Sequence, residues 1–223
     1  MEAGDDRRPD DREARRLECP RMTHAETYLR EVAEIAASLP GDDLERMAHA
    51  LADVRERGGR LFVLGVGGGA SHASHAVNDF RKICHLESYS PVDNVAELTA
   101  RANDEGWETT FVAWLRTSRL SACDAVLVFS VGGGSREHGV SMNIVNAVEH
   151  AREVGAAILG VVGKRDGITA RLADVAIVIE APSERRTPHV EAFQAVVWHL
   201  LVCHPALEAQ LGKWEELEAA GLR

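Results

Sequence analysis

The chemistry this sequence offers is concentrated in residues 60–82, RLFVLGVGGGASHASHAVNDFRK. His75 and Asp79 stand four residues apart, which puts them on one face of a helix, one turn from each other. An imidazole and a carboxylate so placed suit acid–base work or metal ligation. Just before them, Gly65-Val66-Gly67-Gly68-Gly69 separates the apolar run Leu61-Phe62-Val63-Leu64 from the helix-compatible segment carrying His72, His75 and Asp79. A strand, a glycine-rich turn and a helix N-terminus make an anion site, because free backbone N–H groups point outward and the helix dipole favours negative charge. A second turn of the same kind, Ser130-Val131-Gly132-Gly133-Gly134-Ser135, follows the apolar run over residues 125–129. One such turn says little, since tight strand–helix connections use glycine for conformational reasons alone. Two, the second bracketed by serines, point to an anionic ligand. Gly65-x-Gly67-x-x-Ala70 also fits the dinucleotide fingerprint, which requires an acid at the end of the next strand. Glu87 stands near that distance, but HLESYSP is a poor strand and the second glycine turn is left without a use.

The scaffold for these residues is legible in the hydrophobic pattern. Tyr28, Val32, Ile35, Ala36 and Leu39 recur at helical spacing from about Thr23, and Pro40-Gly41 stops the run. A second helix starts at Asp42 or Asp43, carries Leu44, Met47, Leu51 and Val54, and ends at Gly58-Gly59. Two amphipathic helices ahead of the first strand exceed what one sheet edge covers, so subunit packing is a natural use for the first. Residues 88–94 read as a short strand and loop, and helical pieces interrupted at Asn103-Asp104-Glu105-Gly106 follow. Then come the strand at 125–129, a helix from about Ser141 to Val154, the strand AAILGVV, a short helix at 167–172, the strand VAIVIE and an apolar helix from Pro188 to Leu201. Strands alternating with helices predict a doubly wound, mostly parallel α/β sheet.

Composition narrows the class. The 223 residues are 45% apolar, enough for one sizeable core. Residues 1–21 are rich in Asp, Glu and Arg and read as a disordered charged tail, leaving 22–223 as the folded unit. A net charge of -10 argues against non-specific binding to nucleic acid or anionic membrane. The scattered Cys19, Cys84, Cys123 and Cys203 fit free thiols in a reducing compartment. Without an apolar leader or a run near ~20 residues, a soluble cytoplasmic protein is expected.

Paired glycine and serine turns at strand ends, preceded by two helices and closed by a helix carrying His199, resemble the sugar isomerase (SIS) domain. Within that group the chain is similar to the phosphoheptose isomerases, which interconvert sedoheptulose 7-phosphate and D-glycero-D-manno-heptose 7-phosphate. The resemblance spans about residues 23–205 and is most specific in GVGGGASHASHAVNDFRK, TARANDEGW, SVGGGS and TPHVEAFQAVVWHLLVCHP. It implies a five-stranded SIS sheet flanked by helices, with an N-terminal helical extension. Carried over, the family's helix histidine falls on His75, its catalytic glutamate on Asp79, the histidine of its last helix on His199, and its glutamine on Glu191. Members with metal hold Zn2+ at those four positions. The phosphate loop falls on Ser130, Val131, Gly132, Gly133 and Ser135, the first loop on Gly67, Gly68 and Gly69, and an Asn–Asp pair lining the sugar on Asn103 and Asp104. The family implies a homotetramer with active sites between subunits.

The chain departs from that pattern in several places. Val66 and Gly69 stand where the first loop usually has Asn and Ser, Val131 and Gly132 replace hydroxyl residues, and Asp79 is a methylene shorter than glutamate. Backbone N–H groups must then carry more of the phosphate. Glu191 and His199 are eight apart, about 12 Å along a continuous helix, a span that two extended side chains can only just bridge. The alternatives are that Glu191 lies on an irregular entry after Pro188 or that ligands come from different subunits. The implied chemistry is aldose–ketose isomerisation through an enediol, with Asp79 as base and His199 as acid, or the reverse. The rival readings are a non-catalytic sugar-phosphate sensor or scaffold, and an isomerase of a different sugar phosphate. His72, His189 and His204 are expected to be structural or surface residues.

Overall fold

The structure, a computed structural model, describes residues 22–221. The charged tail expected over residues 1–21 lies outside the described residues, as do residues 222–223.

Helix α1 (His24–Ser38) opens on a capping box in which the Glu26 N–H donates to Thr23 Oγ1 (3.2 Å) and the Thr23 N–H donates to Glu26 Oε2 (2.8 Å). Helix α2 (Gly41–Glu56) follows directly on Pro40 and buries Leu44, Met47, Leu51 and Val54. Strand β1 (Leu61–Gly65), helix α3 (Gly68–Lys82) and strand β2 (Ser88–Tyr89) form the first crossover unit. Helices α4 (Val95–Asp104) and α5 (Thr110–Thr117) lead to strand β3 (Ala125–Ser130). Helix α6 (Met142–Val154), strand β4 (Ala157–Val162), helix α7 (Ile168–Leu172) and strand β5 (Val175–Val178) complete the winding, and α8 (Arg186–Val202) and α9 (Lys213–Ala219) close the described chain.

The sheet runs β2-β1-β3-β4-β5, all parallel, with Leu61 opposite Ala125, Gly65 opposite Phe129 and Ser130 opposite Val162. Burial on both faces explains why the central strands read as unbroken apolar runs. Leu61, Val63, Leu127 and Phe129 pack on the side of α2, α3 and α8, whereas Phe62, Leu64, Val126 and Val128 pack on the side of α5 and α6. This is the two-residue alternation of a strand. The winding reverses between β1 and β3, so the crevice beyond their carboxyl ends is where such sheets hold ligands.

Four elements differ from the sequence expectation. Helix α2 begins at Gly41, with Pro40 rather than Asp42 or Asp43 at its N-cap and no side-chain cap bond, so both aspartates fall in its first turn. Helix α8 begins at Arg186, two residues early, because Pro188 falls in its first turn, where a missing N–H costs nothing. Strand β5 stops at Val178, short of the expected Glu180. Helix α9 is not expected from the sequence; it buries no residue, although Trp214 and Leu217 stand at helical spacing within it.

Helices α3 and α8 lie side by side on one face and run in the same direction: Gly68 meets Glu191 near their starts, and His75 meets Trp198 and His199 further along. Helix α1 is fastened to the start of α8 by the buried Glu31. Its carboxylate accepts from Arg185 Nε (2.7 Å) and Nη2 (2.5 Å) and lies 2.8 Å from His189 Nε2, while Tyr28 stacks on the His189 ring at 4.3 Å. Arg185, and then His189, hold the Glu31 carboxyl down to about 2. Among the described residues no helix is long and apolar enough to cross a membrane.

Candidate active site

The two glycine turns face each other across the β1/β3 crevice. Gly68 leaves room for Glu191: a Cβ there would lie 2.5 Å from the Glu191 carboxyl carbon. A Cβ on Gly69 would lie 2.5 Å from the Phe129 carbonyl oxygen, so the first turn presses directly on the end of β3. Between the turns is a cavity of about 330 Å³ walled by Val66, Gly69, Ser130, Val131, Gly132, Ser141 and Glu191. The Glu191 carboxylate sits at the start of α3, where the helix dipole favours negative charge.

The second turn divides its residues between two sides. The Gly133 N–H donates to Ser130 Oγ (3.0 Å), so that amide is already committed. The Ser135 N–H donates to the Val140 carbonyl (2.9 Å), and Ser135 Oγ accepts from the His138 N–H (3.3 Å). Ser130, Val131 and Gly132 thus border the cavity, whereas Ser135 faces away from it. Residues 135–140 form a small excursion closed by reciprocal bonds between Ser135 and Val140, both 2.9 Å. The excursion returns the chain to Ser141, which takes up the N-cap position of α6 in the left-handed region (φ 52°) with no side-chain cap bond. Its hydroxyl borders the cavity and remains available to a ligand. Sequence reasoning passed over Ser141 as a mere helix start; a serine ahead of an apolar run was the signal for it.

About two turns along the same helices, His75, Asp79 and His199 come together. One ligating atom from each lies within 4.8 Å of the others. His75 Nε2 is 3.6 Å from Asp79 Oδ2, and the two imidazole rings meet edge-on at 5.6 Å. His199 Nδ1 is 2.8 Å from the Ala195 carbonyl, which only accepts, so Nδ1 carries the proton and Nε2 presents its lone pair. The buried Trp198 packs 4.6 Å from the His75 ring and backs both imidazoles. Asn78 Nδ2 donates to Asp79 Oδ1 at 2.7 Å, orienting the carboxylate.

Glu191 is not part of this group. Helix α8 is continuous from Arg186 to Val202, which removes the irregular entry as an explanation and leaves Glu191 about 12 Å from His199 along the axis. His72, expected to be structural or on the surface, stands in the site: it is within electrostatic reach of Glu191, His75 and His199 and edge-on to Phe129. Burial pushes its imidazole below the usual range, with Glu191 opposing. His189 and His204 bind Glu31 and Glu45 away from the site. Asn103 and Asp104 end α4 on the surface, bonded to each other at 2.7 Å, and do not border the cavity within the protomer.

No family-level sequence model matches the chain. Among curated relatives, the lincomycin biosynthesis protein LmbN of Streptomyces lincolnensis is 32% identical over 199 residues, 81% of this chain and 70% of the relative. A phosphoheptose isomerase of Helicobacter pylori (strain P12) is 29% identical over 163 residues, 71% of this chain and 80% of that protein. Among solved structures, phosphoheptose isomerase GmhA from Neisseria gonorrhoeae superposes with a TM-score of 0.69 at 21% identity, over 80% of this chain and 93% of its own. Sheet order, crevice and relatives together define a sugar-phosphate isomerase with the SIS fold. The chain belongs to the phosphoheptose isomerase family.

Proposed function

We propose that the chain interconverts sedoheptulose 7-phosphate and D-glycero-D-manno-heptose 7-phosphate. The carrying observation is the spacing of two chemically different ends along α3 and α8: an anion-sized cavity at Glu191, and the His75–Asp79–His199 cluster eight residues further along α8. That separation is about 12 Å, and an extended seven-carbon chain with its phosphate spans roughly 10 Å by ordinary bond lengths. The phosphoryl group sits against Ser130, Gly132 and the Ser141 hydroxyl. Of Gly67, Gly68 and Gly69 in the first turn, only Gly69 borders that cavity, and the space beside Gly68 is taken by the Glu191 carboxylate.

At the other end, the Asp79 carboxylate takes the proton from the carbon beside the carbonyl. The His199 Nε2 lone pair accepts the proton of the hydroxyl on that carbon and hands it to the carbonyl oxygen, while Asp79 returns its proton to the former carbonyl carbon to complete the isomerisation. The donor set of two imidazoles and one carboxylate fits zinc with a position left open. His75, Asp79 and His199 would hold the ion, which when bound polarises a substrate oxygen. Glu191 is not gathered with them within the protomer, and a homotetramer is the arrangement in which a second subunit would complete the site.

Purified protein is expected to turn over sedoheptulose 7-phosphate, and a chelator to slow it. Absence of turnover both with and without added zinc would sink this assignment. Light scattering at the mass of a monomer would remove the shared-site reading. A different sugar phosphate is the second reading, favoured by Val66 and Val131 on the cavity wall, which offer no hydroxyl contact. Competing substrates ranked by kcat/KM separate the two.

A further inference from the structure

On the far side of the second glycine turn lies another cavity, of about 260 Å³. It shares Gly132 and Val140 with the first, so the two meet over that turn. Its remaining walls are the 135–140 excursion and the loop after β4, and its charged lining is Glu137, Lys164, Asp166 and Arg171. Among the described residues none of these four side chains forms a hydrogen bond or an ion pair, whereas the neighbouring Arg165 is bonded to Glu180 and Arg136 to Glu149. Backbone amides do not serve this cavity as donors from α7: the Ile168 N–H is given to the Gly134 carbonyl (3.0 Å) and the Thr169 N–H to the Gly133 carbonyl (3.0 Å). A ligand there is read by side chains. Two cations around so small a volume suit a phosphoryl group. Two carboxylates that are not neutralised by those cations are acceptors for hydroxyl donors.

We propose that this second cavity binds a phosphorylated polyol, with Lys164 and Arg171 on the phosphoryl group and Glu137 and Asp166 on its hydroxyls. The phosphoryl group belongs either to a separate molecule or to a second phosphorylated end of the substrate reaching over Gly132. The site does not depend on the isomerisation proposed above, since its binding is measured without turnover; only the assignment of the source rests on that reading.

Calorimetric titration of the full chain with glycerol 3-phosphate is expected to show two sites per chain. A Lys164→Met/Arg171→Met double variant should keep one, with the remaining affinity within about twofold and an unchanged melting midpoint. No site in the unaltered protein, or no site lost in the double variant, overturns the proposal, whereas a single site that the double variant loses counts against the first cavity alone. Should the double variant misfold, Glu137→Gln/Asp166→Asn supplies the second reading. It should erase the preference of the site for glycerol 3-phosphate over inorganic phosphate, and an unchanged preference again overturns it. The source follows from kinetics on the Lys164/Arg171 variant. Loss of a preference for sugar bisphosphates over monophosphates places both groups on one substrate, and loss only of the effect of added glycerol 3-phosphate on kcat places the second on a separate molecule.

Discussion

Asp79 and Gly68 carry the sharpest expectations for single residues. Asp79→Asn keeps the shape and the bond from Asn78 but cannot accept a proton, so kcat should fall by roughly 10²–10⁴ while KM moves little. A kcat within threefold of the parent would remove Asp79 from the base role. Gly68→Ala and Gly69→Ala look alike in sequence and should behave differently. The first places its methyl against the end of a flexible side chain, Glu191, so the fold should hold while KM rises several-fold. The second places it against the Phe129 backbone oxygen, which cannot swing aside, so the melting temperature should drop instead. Steady-state kinetics and calorimetry on the two variants check this contrast. The glycine pattern was plain in the sequence, but which glycine guards a side chain and which guards a strand depends on the facing element. Ser141 was harder to see, because five residues with no apolar period separate it from the turn it completes.

At the scale of elements, the pairing of α3 with α8 decides the site. The four-residue step from His75 to Asp79 was readable as one helical face, and the eight-residue step from Glu191 to His199 correctly gave their separation. No local signal says that these helices lie together on the same face of the sheet; crossover connections and sheet order settle that. The same reasoning covers the fastening of α1 to α8. Glu31 has its carboxyl lowered from 4.5 to about 2, with Arg185 the larger cause and His189 the second. A depressed carboxyl stabilises fully above its unfolded value, and the stabilisation is lost as pH falls through 4.5 toward about 2. Glu31→Gln should therefore melt below the parent at neutral pH, with the gap closing across that acid window. A gap that is constant from pH 7 to pH 2.5 would show that the ion pair contributes nothing through its charge.

For the whole molecule, stability rests on β3, which pairs with β1 on one side and β4 on the other. Leu127 is fully buried at its centre, so Leu127→Ala should cost about 2–5 kcal/mol. For a chain of this length that is a drop of roughly 5–15 °C in Tm, readable by calorimetry; a shift below 2 °C would mean that the core repacks around the gap. Alternating strand and helix patterns made the α/β class legible throughout, because strands buried on both faces leave continuous apolar runs. Topological order was not legible, since no residue type records which neighbour a parallel strand chooses.

The outermost strands of the sheet are the two-residue β2 and the four-residue β5. Such brief borders offer a foreign chain almost no ladder to extend, so the protein carries its own safeguard against fibrous self-association. Concentrated samples held at room temperature should stay free of thioflavin-positive material even though the interior strands, taken as peptides, are among the most β-prone stretches of the sequence.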